Sequence, residues 1–272
     1  DRVSAFDHVL GTIPFKGQIL TDIANFWFEK TGSIAPNHII SSPDPQVLIA
    51  RKADTLPVEV IVRGYITGSL WREYSQGING QYGFQLPDGL KMDQKFSEPI
   101  LTPSTKAEYG LHDEPIPRDA IINGLVEESI YVKAEEYAME LFDSGQKWAA
   151  EQGLILVDTK YEFGMVNDQL ILIDEIHTPD SSRYWIADEY DRRYRAGEKQ
   201  NMLDKENIRQ WLIDRGFSGE GTPPELTDDI RIFLAEQYIE LFEILTGESF
   251  KPMIGDVKAR IQKNLEYAGV YA

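Results

Sequence analysis

The chain has 272 residues, of which 27 are basic and 45 acidic, giving a formal net charge of −18. That balance excludes a broad basic face for nucleic acid, although a local Arg/Lys cluster can still hold a small phosphate. A hydrophobic share of 42% supports a core, no apolar run is long enough for a bilayer, and the lack of Cys excludes disulfides and fits a reducing, cytoplasmic setting.

The length allows one or two domains. The sequence starts at Asp1 rather than Met and shows no signal peptide, so an N-terminal piece is expected before it. From Gly17 to Lys30, Ile19, Leu20, Ile23, Phe26 and Trp27 recur at helical spacing. Val47–Ala50 reads as a short strand, Arg51–Pro57 as a connector, and Val58–Ile66 as a β-branched strand. Residues 75–117 are rich in Gly, Pro, Asn and Asp and read as one long irregular stretch. Arg118–Gln152 reads as a single helix closed by Gly153. Leu154–Phe163 and Gln169–Ile176 form a predicted hairpin, followed by helices near 205–215, 226–245 and 254–268. Early strands, a mixed middle and late helices give an α+β architecture, with a boundary near Pro57 that divides residues 1–56 from 57–272.

The hairpin is the most informative segment. Strand alternation puts Asp158, Lys160 and Glu162 on one face, and Ile155, Val157, Thr159, Tyr161 and Phe163 on the other. The partner strand is apolar until Asp174 and Glu175, and acids at the end of a buried strand call for a partner or a cation. A two-residue turn at Asn167-Asp168 sets Glu175 across from Lys160, whereas a loop of three or five residues sets Asp174 opposite Glu162. The second register is the one expected, because two carboxylates suit Mg²⁺ shared with phosphate oxygens. A salt-bridged, solvated sheet face remains the alternative.

Three further segments carry anion-binding chemistry. Arg63 and Glu59 share a strand face, and Gly68-Ser69 follows with a hydroxyl and backbone N–H groups; a plain Glu59–Arg63 surface pair is the alternative. Asp180, Ser182 and Arg183 sit in a Pro-containing turn beside the hairpin, where Ser181 or Ser182 can equally cap a helix. Lys106, His112 and Asp113 lie in the long loop. His8, His38, His112 and His177 show no metal-ligand spacing and read as structural or exposed.

Together these segments resemble the SAICAR synthetase family, the phosphoribosylaminoimidazole-succinocarboxamide synthases of purine biosynthesis. The resemblance rests on L-P-V-E-V-I-V-R-G-Y-I-T-G-S and L-V-D-T-K-Y-E-F-G, with D-R-V-S-A-F-D, T-I-P-F-K-G, L-T-P-S-T-K and I-D-E-I-H-T-P-D-S-S-R in the family's order. It covers nearly the whole chain and matches the longer form. A glycine-rich, Lys-containing hairpin over ATP precedes D-R-V-S-A-F-D in the family and is missing from this sequence.

The resemblance implies an ATP-dependent ligase that joins carboxyaminoimidazole ribonucleotide to L-aspartate through an acyl phosphate. It implies a kinase-small-lobe-like N-terminal part and an ATP-grasp-like larger domain. Glu162 and Asp174 are then expected to hold Mg²⁺ against ATP, with Lys160 beside a substrate carboxylate or phosphate. Arg63, Ser69 and Arg183 are expected to clamp the ribonucleotide phosphate. Asp113, Asp180, Ser182 and Lys205 become candidate contacts for the imidazole substrate or aspartate. Lys106 is placed at the ATP phosphates and Ala53 in a segment passing the adenine. Partners are these small molecules, with neither nucleic acid nor membrane, in a monomer or small homo-oligomer. A small-molecule kinase and a non-catalytic nucleotide-binding protein are the competing classes.

Overall fold

A computed structural model describes residues 1–6, 8–106 and 113–270. Its centre is an antiparallel sheet built on two 13-residue strands, β5 (Asp54–Ile66) and β8 (Leu154–Val166). The free edge of β8 pairs with β9 (Gln169–Ile173) at one end and β10 (Ser182–Ile186) at the other; that of β5 pairs with β6 (Gln94–Leu101) and β7 (Ser104–Thr105). Two small hairpins lie outside the sheet, β1 (Arg2–Ala5) with β2 (His8–Thr12) and β3 (Ile39–Asp44) with β4 (Val47–Ala50).

One sheet face packs on α4 (Glu128–Glu151), whose Tyr131, Ala134, Ala138, Leu141 and Phe142 are fully buried against Val58, Val60, Val62, Leu156, Tyr161 and Phe163. Each large aliphatic or aromatic side chain so buried contributes about 1.5–3 kcal/mol relative to exposure. Helices α1 (Lys16–Lys30) and α7 (Asp228–Thr246) pack on each other at the side of this core. The remaining helices are α2 (Gly68–Ser75), α3 (Arg118–Gly124), α5 (Ala187–Ala196), α6 (Glu206–Ile213) and α8 (Val257–Tyr267). Among the described residues, no helix is long and apolar enough to cross a membrane.

Several expectations change. The predicted connector is strand from Asp54 onward, and residues on both sides of Pro57 pair with β8. The 75–117 stretch contains β6 and β7, whose polar, Pro-bearing sequence hides their edge-strand role. The single helix at 118–152 is two, because Gly124 ends α3 and Glu127 is extended before α4 starts. The 178–185 turn yields to β10 at Ser182, and α5 was not foreseen.

The uniform alternation along β8 also fails. Arg183 pairs with Asp158 but Tyr184 with Leu156, leaving Val157 as an extra, bulged residue. Tyr161 and Phe163 therefore join the main core with Leu154 and Leu156. Val157 and Ile155 instead pack on the opposite face with Tyr65 and Trp185.

Candidate active site

The charged face of the sheet assembles the site. Across β5 and β8, Glu59 pairs with Glu162, Ile61 with Lys160 and Arg63 with Asp158. Two carboxylates opposite each other repel. Lys160 relieves this by donating to Glu59 Oε1 at 2.7 Å and Glu162 Oε1 at 3.0 Å, and Lys106 binds the other Glu162 oxygen. Burial disfavours the Lys160 charge, but Glu59 and Glu162 overcome it and raise its pKa, so it is a fixed cation. Burial works against Glu162 as well, yet Lys160 and Lys106 hold it below the usual range. Glu59 is pushed up by burial, aided by the charges of Asp113 and Glu162.

The hairpin register corrects an expectation. The turn has two residues, Asn167 and Asp168, with φ of 49° and 60°, and Ile173 rather than Asp174 faces Glu162. A continued strand would carry Asp174 to the core side with Tyr161. Instead β9 stops at Ile173, and Asp174 takes a left-handed φ of 65°. This turns its side chain back to Glu162, close enough for the two carboxyls to interact directly; partial burial of the carboxyl and then the Glu162 charge push Asp174 up. The acidic pair forms through a backbone reversal, not through strand pairing.

At the other end of the face, Asp158 is shared by two arginines. Arg63 Nη1 donates to it at 3.2 Å and Arg183 Nη1 at 2.5 Å. Arg63 also donates to Thr102 Oγ1 at 2.8 Å and Ser69 Oγ at 3.3 Å. Ser69 lies in the first turn of α2, where backbone N–H groups lack intrahelical partners. Ser182 is buried, with its hydroxyl 2.7 Å from that of Thr159. Arg63, Ser69, Lys160, Asp180, Ser182, Arg183 and Lys205 line one cavity of about 190 Å³.

Asp180 accepts from buried Lys16 at 2.7 Å, Lys205 at 3.4 Å and Tyr238 at 3.3 Å. Burial opposes its charge, but Lys205 and Lys16 hold its pKa down. Ala53 sits at the Glu162 end, its Cβ 2.9 Å from where a Cβ on Gly164 would lie. His112 falls outside the described residues. His177 is fully buried, 2.5 Å from the Tyr161 hydroxyl through Nε2, and is structural as expected.

Sequence reasoning gave no role to Lys16, Asp158 or Arg209; Arg209 joins the network through Glu206, which it meets at 3.1 Å and Arg183 meets at 3.4 Å. Lys16 had a signal: a cation in the first turn of a helix opposes the dipole and needs an acid nearby. The donor set of Glu162 and Asp174 suits a hard cation. Asp174 is solvent-exposed, so phosphate and water can complete the coordination. Among the described residues, no group of three or more His, Cys, Asp or Glu is placed to hold a metal ion.

Comparison with known proteins gives the family. The family model described as SAICAR synthetase matches residues 1–224. A phosphoribosylaminoimidazole-succinocarboxamide synthase of Bacteroides fragilis is 50% identical, over 97% of this chain and 86% of its own length. The SAICAR synthase of Saccharomyces cerevisiae, solved in complex with SAICAR, superposes with a TM-score of 0.79 at 35% identity, covering 92% of this chain and 88% of that one. A SAICAR synthetase (Type-2) in complex with ADP gives 0.68 at 28% identity, over 92% and 90%. With its two carboxylates, its arginine pair on Asp158 and these relatives along nearly its full length, the chain belongs to the SAICAR synthetase family.

Proposed function

We propose that the charged face of β5 and β8 joins carboxyaminoimidazole ribonucleotide to L-aspartate, using ATP and yielding SAICAR, ADP and phosphate. The overall activity, ATP-dependent ligation in purine biosynthesis, is that of the family. The relatives described above are named as synthases, which gives no support to a small-molecule kinase. The carrying observation is that the cavity lined by Arg63, Ser69 and Arg183 also takes in Lys160, whose amine donates to Glu162 on the same face of β5 and β8.

A resonance-stabilised carboxylate is a poor electrophile. Its oxygen takes the γ-phosphoryl group of ATP, ADP departs, and an acyl phosphate results. The aspartate amine attacks the acyl carbon, the C–O bond to phosphate breaks, and the amine proton passes to solvent. Arg63, Ser69 and Arg183 bind the ribonucleotide phosphate, fixing the far end of the substrate. Lys160 holds the reacting carboxylate or its phosphoryl group by permanent charge. Asp180, Ser182, Lys205 and Asp113 position the imidazole and the aspartate. Lys106 reaches ATP phosphates by leaving Glu162, and Ala53 flanks the adenine. Glu162 and Asp174 would hold a magnesium ion, which when bound supplies positive charge beside the phosphate oxygens. Positioning and charge compensation do most of the work in such a transfer.

This reading carries the family's division into a kinase-small-lobe-like part and an ATP-grasp-like part, and a cytoplasmic location, to which the lack of Cys is suited. A coupled ADP-release assay tests the function. ADP release should need both ribonucleotide and L-aspartate; full-rate release without aspartate overturns the ligase reading.

A further inference from the structure

A second cavity, of about 180 Å³, opens between α2, the Met92-Asp93 loop and the Lys199–Met202 segment, and Arg183 lines both it and the first. Its volume is well below the roughly 300 Å³ of a drug-sized pocket, so it holds about one flat ring system. Gln200 lines it with 6% of its surface exposed, yet neither amide atom makes a hydrogen bond. Trp185 lines it at 1% exposure, and its indole N–H has no acceptor. Asp93 adds a carboxyl that is 5% exposed. Burial pushes the pKa of this carboxyl up, while the Thr67 hydroxyl and the Gln200 amide lie beside it and favour its charge.

Buried polar atoms left unpaired cost free energy that a complementary ligand recovers. The set is two-sided: the Gln200 amide N–H and Trp185 N–H need an acceptor, Gln200 Oε1 needs a donor, and the Asp93 carboxyl can accept a further one. The walls from Trp71, Met92 and Met202 offer flat, polarisable surface. At the rim, Arg72 and Lys199 form no ion pair among the described residues.

We propose that this cavity binds a nucleotide whose base presents a lactam edge, an N–H beside a C=O, with its phosphate against Arg72 and Lys199. The C=O accepts from Gln200 and Trp185, and the N–H donates to Asp93. Adenine has no such edge and pairs with only part of the set.

Calorimetric titration of the full chain with guanosine 5′-monophosphate, at saturating ADP and SAICAR so that the reaction's own sites are filled, tests this. One equivalent should bind, and adenosine 5′-monophosphate should bind at least tenfold more weakly. Gln200→Leu, which fills the polar floor, and Lys199→Ala, an exposed side chain whose loss leaves the fold intact, should each weaken binding about tenfold or more while turnover at saturating substrates is unchanged. No binding under these conditions, equal affinity for the two nucleotides, or unchanged affinity in Lys199→Ala overturns the proposal. These outcomes are separate from the ADP-release assay and do not depend on its result.

Discussion

A Cβ added to Gly68 would lie 2.4–2.8 Å from three atoms of the Arg183 guanidinium. Gly68 also has a φ of +58°, in the left-handed region. Arg183 thus rests directly on the glycine that opens α2, and the two ends of the phosphate clamp are one packed unit. Gly68→Ala is expected to cost about 1–2 kcal/mol in backbone strain alone. It should also displace Arg183 from Asp158 and raise the ribonucleotide KM about tenfold or more. A variant with wild-type KM would separate Arg183 from phosphate binding.

Arg63 makes a different test of the same clamp. Its guanidinium is already held by Thr102, Asp158 and Ser69, so the free-enzyme geometry is prepared before substrate arrives. Arg63→Ala should raise the ribonucleotide KM about 10- to 100-fold, with a smaller change in kcat, because phosphate binding is uniform between ground and transition states. Steady-state kinetics with ribonucleotide varied at saturating ATP and aspartate measures the split. A loss confined to kcat would move Arg63 from substrate binding to the chemical step.

Asp174 carries the opposite trade. Partial burial of its carboxyl and then the Glu162 carboxylate push its pKa up, so its charge is unfavourable in the free protein. Asp174→Asn should therefore leave the melting temperature equal to or above wild type while turnover falls by orders of magnitude, the pattern of a functional residue kept at a cost in stability. Raising the Mg²⁺ concentration should recover part of the activity. Unchanged kinetics in this variant would remove Asp174 from the metal site.

How these residues meet shows what a sequence can and cannot say. Val58, Val60 and Val62 lie opposite Glu59 and Arg63 as alternation requires, since β5 keeps one register with β8 from Glu59 to Arg63. Val47–Ala50 and the helix before Lys30 were legible for the same reason: local periodicity decides them. The bulge at Val157 and the reversal at Asp174 were not legible, because each is set by a neighbouring strand rather than by its own residues. The second explains how the expected acidic pair arises from the register that was not favoured. The Lys16–Asp180 contact spans 164 residues, and no local pattern encodes a contact of that range.

That contact has a measurable weight. Lys16 is 4% exposed and donates to Asp180 at 2.7 Å. Removing one partner of a buried ion pair typically costs about 3–5 kcal/mol, because the other charge is stranded. Lys205 also reaches Asp180 and reduces that cost. Lys16→Met should accordingly destabilise by about 2–3 kcal/mol in urea unfolding. Adding Asp180→Asn should restore part of the loss, and strict additivity of the two changes would show that the pair is not coupled.

The last prediction concerns pH. His177 is completely buried and burial pushes its pKa down to about 3, from 6.5 in an ordinary setting. The native state therefore keeps the ring neutral while the unfolded chain takes up a proton below pH 6.5. Stability from this group is fully present above the unfolded pKa and is lost as pH falls from about 6.5 toward 3. Within that window one extra proton on the unfolded side gives a slope of about 1.4 kcal/mol per pH unit. His177→Gln retains a neutral polar group toward the Tyr161 hydroxyl and cannot titrate. Urea midpoints from pH 7.5 to 4.5 should show wild type losing stability more steeply than the variant, by close to that slope, whatever the offset between them at pH 7.5. Parallel curves would mean that His177 takes up its proton in the folded protein, and that the Tyr161 contact tolerates a charged ring.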